Sequence, residues 1–267
     1  MKAIIEVLNE VWKNRSRMLR VVWYDIKIET RSLYFGVLWK VLSPSIQVGT
    51  FWLVFGVGIR GGAPVDGIPF LVWLLAGLIP WFFISRGITA GSSSISSKSN
   101  VVFKIKYPIS TVPVGSIIHC LYDHMILLVI MTLVFSFHGF EPNVHWLNLV
   151  YYVSFAFVFL VSLSFILSVL VRLASDFGRL IAALLQMLFF LTPILWQETY
   201  LPQWALRILS ANPVRYVVLG FRGSLLYQYN FFDFPWRIAF FWPMVFVLLA
   251  VGCWLQRKYS HRFVDWM

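Results

Sequence analysis

Three ionisable side chains, His119, Asp123 and His124, stand together in one apolar run of this sequence, Val114–Phe137. Groups of this kind are costly in apolar surroundings unless they are paired or face water. His119 and Asp123 are four residues apart and can meet on one helix face. Two readings stand side by side: a structural ion pair at a helix–helix contact, or a contact to a polar solute in a central passage. A hydrolase would need a nucleophile from Ser92–Ser97 as well. Those serines fall in a polar stretch at a membrane surface, whereas His119 and Asp123 lie one and two turns into a span, so that chemistry is not supported.

A second arrangement is basic. Arg215 and Arg222 are seven residues apart and share nearly one helical face, the spacing at which two guanidinium groups can approach one polyanion, and Arg is well shaped to hold phosphate bidentately. The alternative is that they reach lipid headgroups or pair with Glu198 and Asp233. The sequence contains no GxxxxGK[ST] phosphate loop and no zinc-ligand spacing, so any nucleotide energy must come from a partner. Cys120 and Cys253 both fall within apolar runs and read as small buried hydrophobes.

Apolar helices must position all of these residues. Of 267 residues, 60% are hydrophobic and 12% charged, which excludes a soluble domain and indicates one polytopic, all-α membrane domain. Six spans are expected, at about 37–59, 69–88, 114–137, 146–171, 180–196 and 236–255. Residues 37–257 then form the transmembrane domain, preceded by 1–36 and followed by a tail, 258–267. Most of the 22 Lys and Arg collect on one side, against Arg60, Arg207, Arg215, Arg222 and Arg237 on the other, so both termini are expected in the cytoplasm. Lys40 is expected to snorkel to that side. The same distribution argues for orientation and anionic-lipid contact and against nucleic acid.

Before Gly36 lie two amphipathic stretches. The first has Ala3, Ile4, Val7, Leu8 and Val11 on one face. The second has Leu19, Val22, Trp23, Ile26 and Leu33 on one face, and Arg20, Lys27 and Arg31 on another. Both are expected to lie along the interface, with Trp23 and Tyr34 at headgroup depth. Glu6 and Glu10 interrupt any continuous apolar core, so no cleavable signal is expected. Arg86–Pro113 reads as a long inner loop carrying a short apolar-basic piece stopped by Pro108. Between the fifth and sixth spans, Leu201–Ser210 and Pro213–Tyr227 are each too short to cross, and the Asn212-Pro213 break suggests a re-entrant pair. Aromatics are 18% of the chain. Trp81, Phe82, Phe189, Phe190 and Trp196 are either packing bulk or rings on which sugars can slide.

These features resemble the membrane subunit of ABC-2 type polysaccharide exporters. The runs FGVGIRGGAPVDGIPF (Phe55–Phe70), AGLIPWFFIS (Ala76–Ser85), NVVFKIKYP (Asn100–Pro108), TPILW (Thr192–Trp196) and NPVRYVVLGFRG (Asn212–Gly223) are most similar to the wall teichoic acid permeases of Gram-positive bacteria. The NP…FRG and KIKYP patterns are shared with O-antigen and capsule permeases. The resemblance implies a non-catalytic permease of the bacterial cytoplasmic membrane, a homodimer working with two ATP-binding cassette subunits that bind ATP and magnesium. Its cargo would be a polymer linked to undecaprenyl diphosphate. The resemblance also implies a coupling helix at Asn100, Val101, Phe103, Lys104, Lys106, Tyr107 and Pro108, and contact of the N-terminal interfacial helix with the ATPase. Trp81, Phe82, Phe189, Phe190, Trp196 and Asp123 become candidates for the passage, and Arg215 and Arg222 for guiding phosphate on the outer side. Relatives commonly carry Arg-Asp in the short inner loop. This chain has Ser175-Asp176 there, with Arg172 and Arg179 nearby. A transferase acting on lipid-linked sugars is the competing class, but its converging acids and histidines are missing from the sequence.

Overall fold

The computed structural model describes residues 2–32, 34–98 and 107–260. Among them are ten α-helices: α1 Lys2–Lys13, α2 Arg15–Ser32, α3 Trp39–Phe51, α4 Phe70–Ser97, α5 Thr111–Phe137, α6 Asn148–Leu173, α7 Asp176–Leu191, α8 Gln203–Ser210, α9 Pro213–Leu226 and α10 Pro235–Ser260. A π-helix, Trp52–Ile59, prolongs α3. Five segments are long and apolar enough to cross a membrane: Gly36–Ile59, Phe70–Ser97, Thr111–Phe137, Val144–Leu173 and Pro235–Tyr259.

The expected fifth span is shorter than the others. With 16 residues, α7 covers about 24 Å at 1.5 Å per residue, below the roughly 30 Å of a hydrocarbon core. An irregular stretch from Thr192 to Gln197 completes its path. Gln197 Nε2 donates to both carboxylate oxygens of Asp66 at 3.2 Å, which fixes the far end of α7 beside the turn between α3 and α4. The chain therefore passes six times between two ends. One, the basic end, holds α1, α2 and the C-terminus of α10; the other, the re-entrant end, holds Asp66, α8 and α9.

The core is built on α4 and α6. The outer half of α4, Phe70–Ile84, is apolar on every face, and such a helix belongs inside a bundle. It packs on α5, α6 and α9. Its contact with α6 depends on the pair Gly87 and Gly91, four residues apart, the small-xxx-small spacing that lets helix backbones approach in membranes. A Cβ at Gly87 would stand 2.6 Å from Leu160 Cδ1, and one at Gly91 only 1.9 Å from Ser164 Oγ.

Three expectations need correction. The polar stretch beginning at Arg86 is not a loop as far as Ser97: α4 continues through it, with Ser92 and Ser94 buried. The hydroxyls cost little there because each finds a carbonyl in the preceding turn, Ser94 donating to Gly91 at 2.7 Å and Ser93 to Thr89 at 3.0 Å. On α2 the buried face is Met18, Val22 and Ile26, whereas Leu19 and Trp23 are exposed. The reason is the partner: α2 seats on α5, where Val22 and Met18 lie against Gly115. Lys40 does not snorkel; its environment is described below.

Polar ties hold the N-terminal helices to the basic end. Arg257 of α10 pairs with Glu6 at 2.6 Å, and Ser110 donates to Glu10 at 2.6 Å. At the other end α9 is inserted among α4, α6 and α10, with Tyr216 stacked on Phe241 at 4.5 Å, while α8 turns Trp204 and Ile208 outward. Protein thus covers the ends of α9, as a re-entrant helix requires.

Replacing Gly91 by Ala must displace Ser164. We expect Gly91→Ala to destabilise the protein by about 1–3 kcal/mol, and Ser164→Gly to restore part of that loss in the double variant. Thermal unfolding in detergent of both single variants and the double checks this; strictly additive losses would contradict a contact between the two residues.

Candidate functional site

At the basic end, α2, α3, α4 and α5 enclose a polar cleft of about 650 Å³. Its walls follow from helical spacing. Ser85, Thr89, Ser93 and Ser97 recur every four residues on α4 and form a ladder of hydroxyls along one face. Arg86 and Lys98 add positive charge to that wall, Asp25 and Glu29 come from α2, Lys40 from α3, and His119 and Asp123 from α5.

Lys40 is the hub. Its side chain is 6% exposed, and Nζ donates to Asp123 Oδ1 at 2.6 Å and to Glu29 Oε2 at 2.7 Å. His119 Nε2 stands 3.0 Å from the same Glu29 oxygen. Thus His119 and Asp123, expected to meet each other, are instead joined through residues of α2 and α3. Arg86 reaches Asp123 only at 3.9 Å and keeps 39% of its side chain exposed, so its guanidinium remains open to the cleft. Burial opposes ionisation of Glu29, but Lys40 and then His119 outweigh it and hold the carboxyl below its ordinary range. That depressed value stabilises the folded state at neutral pH, and the contribution is lost as pH falls through it. Lys98 pairs with Asp25, fastening the end of α4 to α2.

His124 takes no part in this network. It is buried, stacked on Phe83 at 4.7 Å with Phe221 at 6.0 Å, and neither ring nitrogen has a hydrogen-bond partner among the described residues.

Of the outer arginines, Arg215 makes the pairing with Glu198 that stood as the alternative, whereas Arg222 does different work from guiding phosphate. Arg222 is 4% exposed and presents nothing to a polyanion. Its guanidinium lies 3.4 Å over the Trp73 ring and donates to the carbonyls of Pro193, Ile194 (2.5 Å) and Trp73 (3.4 Å). Gly77 leaves the space it occupies, since a Cβ there would stand 2.6 Å from Arg222 Nη2. Burial is the physical reason for the correction: the irregular stretch after α7 exposes carbonyls inside the protein, and Arg222 satisfies them. Arg215 pairs with Glu198 through both nitrogens it offers, one of them at 2.6 Å. The two arginines share a helix but not a ligand.

Among the passage candidates, Trp81, Phe82 and Phe189 are buried. Phe189 packs between Phe51 and Trp81, each at 5.3 Å between ring centroids, so it joins α7 to α3 and α4 inside the subunit. Phe190 is exposed, and Trp196 is half-buried with its indole N–H donating to Phe190 O at 3.0 Å. Trp196 and Phe190 border a small cleft with Arg60 at the re-entrant end.

Of the expected coupling residues, Asn100, Val101, Phe103, Lys104 and Lys106 lie outside the described residues. Tyr107 is partly buried, and burial, reinforced by Asp25, raises its phenol above the ordinary value. Pro108 accepts a hydrogen bond from Thr111 Oγ1 at 2.6 Å at the start of α5. Arg20, Lys27 and Arg31 are exposed on α2, with Lys27 Nζ 5.3 Å over Trp23. Asp176 is exposed and meets Arg179 at 3.8 Å.

Sequence reasoning missed the hydroxyl ladder, Arg86 and the central place of Lys40. One signal pointed to the last: Lys40 is the lone charge of the first span and Asp123 the lone acid of the third, and two such groups lower their cost by meeting.

Comparison with known proteins agrees with the fold. The family described as ABC-2 type transporter matches residues 17–226. An O-antigen export system permease protein of Myxococcus xanthus is 24% identical over 232 residues, 86% of this chain and 87% of that protein. Another from Klebsiella pneumoniae is 24% identical over 248 residues, covering 90% and 91%. The polysialic acid transport protein of Escherichia coli is 23% identical over 206 residues, covering 77% and 79%.

Removing Lys40 alone would leave two carboxylates facing each other. Lys40→Met should lower stability by about 3–5 kcal/mol, and Lys40→Met with Asp123→Leu should recover much of it, because the buried charge then disappears from both sides. Arg222→Lys should also destabilise, since an ammonium cannot serve three carbonyls in a plane or stack on Trp73. Thermal unfolding reads both; unchanged stability of Arg222→Lys would contradict its anchoring role.

Proposed function

Because the chain belongs to the ABC-2 type transporter family, matched over residues 17–226, we propose that it is the permease subunit of an ATP-driven exporter of a polysaccharide carried on undecaprenyl diphosphate. Two copies would work with two ATP-binding cassette subunits, which bind ATP and magnesium. The basic end would face the cytoplasm, and residues 100–108, the segment joining α4 to α5, would take up the movement of the ATPase.

The observation that carries this reading is the polar cleft at the basic end. A sugar polymer with a phosphorylated lipid anchor needs oxygens that accept hydrogen bonds from its sugars and a cation for its phosphates. The ladder on α4 offers the first, and Arg86 the second.

The cargo we favour is wall teichoic acid. The runs Phe55–Phe70 and Ala76–Ser85 support this choice, and its chain phosphodiesters suit a site containing an open guanidinium. A second reading, export of an O-antigen or capsular polysaccharide, is favoured by the relatives from Myxococcus xanthus and Klebsiella pneumoniae, which are O-antigen export permeases, and by the polysialic acid transport protein of Escherichia coli.

Depleting this chain in its host should lower the surface polymer and cause its lipid-linked form to accumulate inside. Chemical analysis of that polymer separates the cargoes: polyol phosphate repeats support teichoic acid, and phosphate-free repeats support the second reading. An unchanged surface polymer after depletion would reject the exporter.

A further inference from the structure

The polar cleft does not end at Lys40, Arg86 and Asp123. One turn further from the basic end, the same three helices enclose an apolar groove of about 320 Å³. On α3 the lining passes from Lys40 to Pro44, on α4 from Arg86 to Phe82, and on α5 from Asp123 to Leu127. All three transitions occur at the same level, so polar wall gives way to apolar wall across a single boundary. The groove continues to Gly49, Leu75 and Met131.

We propose that cleft and groove form one composite site for a polyprenyl diphosphate, with the diphosphate at Arg86, the first sugars it carries along the hydroxyl ladder, whose oxygens accept from them, and the first isoprene units between α3, α4 and α5. The proposal deepens the exporter reading and rests on it. Charge and continuity together select the occupant. The head must be anionic to engage a guanidinium whose own carboxylate partner is 3.9 Å away. It must also be long: from Ser85 to Ser97 the ladder extends about 18 Å at 1.5 Å per residue. A single phosphate ester would leave most of that ladder unused, whereas a diphosphate followed by its first sugars would cover it. The tail requires an apolar trough that begins where the head ends, and the boundary at Lys40, Arg86 and Asp123 supplies it.

Gly49 makes the proposal testable without disturbing the fold. It lines the groove, and a Cβ built on it meets no atom within 4 Å, so a large side chain there fills the trough rather than a packed contact. Membranes containing the full chain and its ATP-binding partner would be labelled with a photoactivatable undecaprenyl diphosphate bearing its reactive group in the isoprenoid tail. The expected labels fall on peptides of α3, α4 or α5 that border the groove. Unlabelled undecaprenyl diphosphate should compete for them, and phosphatidylglycerol should not. Gly49→Phe should lose the labelling while keeping wild-type thermal stability, with Ser45→Phe on the same wall as a second blocking variant. Arg86→Gln should weaken competition about tenfold, the loss of one charge-assisted hydrogen bond. Equal competition by phosphatidylglycerol would assign the groove to a bilayer lipid and overturn the proposal, as would wild-type labelling of both blocking variants. Surface polymer measured in the same cells keeps the two readings apart. Wild-type export without groove labelling defeats this inference alone, and absence of export defeats the exporter reading beneath it.

Discussion

A helix that stops before it has crossed the membrane leaves carbonyl groups without donors, and much of the re-entrant end is arranged to supply them. After Leu191 the chain abandons helical geometry, and in an apolar surrounding each unsatisfied carbonyl costs several kcal/mol. Trp196 answers one by donating to Phe190. Arg222 answers two more at Pro193 and Ile194 and reaches back to Trp73 on α4. No carboxylate lies against this guanidinium among the described residues; carbonyl dipoles and the face of Trp73 replace it. The same side chain therefore joins α4, the end of α7 and the inserted α9. Gly77 follows from it, because any side chain there would occupy the guanidinium's place.

The basic end solves an electrostatic problem of the opposite kind. Lys40 is a cation placed inside the protein, and it is compensated by acids from two other helices. The cost of desolvating such charges is large, and fully apolar replacements are often as stable or more so. Stability alone therefore gives a weak reason for the triad. Its value lies in position: Glu29 belongs to α2, Lys40 to α3 and Asp123 to α5, so three of the four helices that border the cleft are held in register by one ammonium group. Lys98 with Asp25 repeats the arrangement between α2 and the end of α4.

Much of the helical layout was legible because a run of about twenty apolar residues is the length of a membrane-crossing helix and far longer than a buried strand, and because Asn212-Pro213 is a strong break and start signal. In the turn between α3 and α4, Asp66 and Gly67 both have positive φ, 51° and 79°, as a two-residue reverse turn requires. Three things were hidden. Hydropathy treats serine as polar and gave no sign that α4 continues to Ser97, although a serine that donates to its own helix does not end it. The face of α2 was ambiguous because Leu19, Trp23, Val22 and Ile26 lie on overlapping arcs, and only the position of α5 decides which of them is covered. Arg222 looked like an outward-facing cation because spacing records where a side chain starts, not which carbonyls surround it.

In the proposed exporter the walls of the cleft are also the helices that an ATPase would move. Residues 100–108 lie in the segment that joins α4 to α5, and those helices contribute the hydroxyl ladder and Asp123 respectively. Any displacement of that segment by an ATPase acts first on the Lys98–Asp25 pair and on the start of α5, where Ser110 is tied to Glu10 of α1. Movement of α5 relative to α2 and α3 cannot leave Lys40 equally close to both Glu29 and Asp123, since a single ammonium at 2.6 and 2.7 Å has no slack in either direction. Glu29 keeps His119 at 3.0 Å, whereas an Asp123 parted from Lys40 would turn to Arg86, already 3.9 Å away. A guanidinium drawn to Asp123 is no longer open to an anion in the cleft. In the proposed exporter, the network that holds the helices in register therefore also bears on whether Arg86 stays open to the cleft.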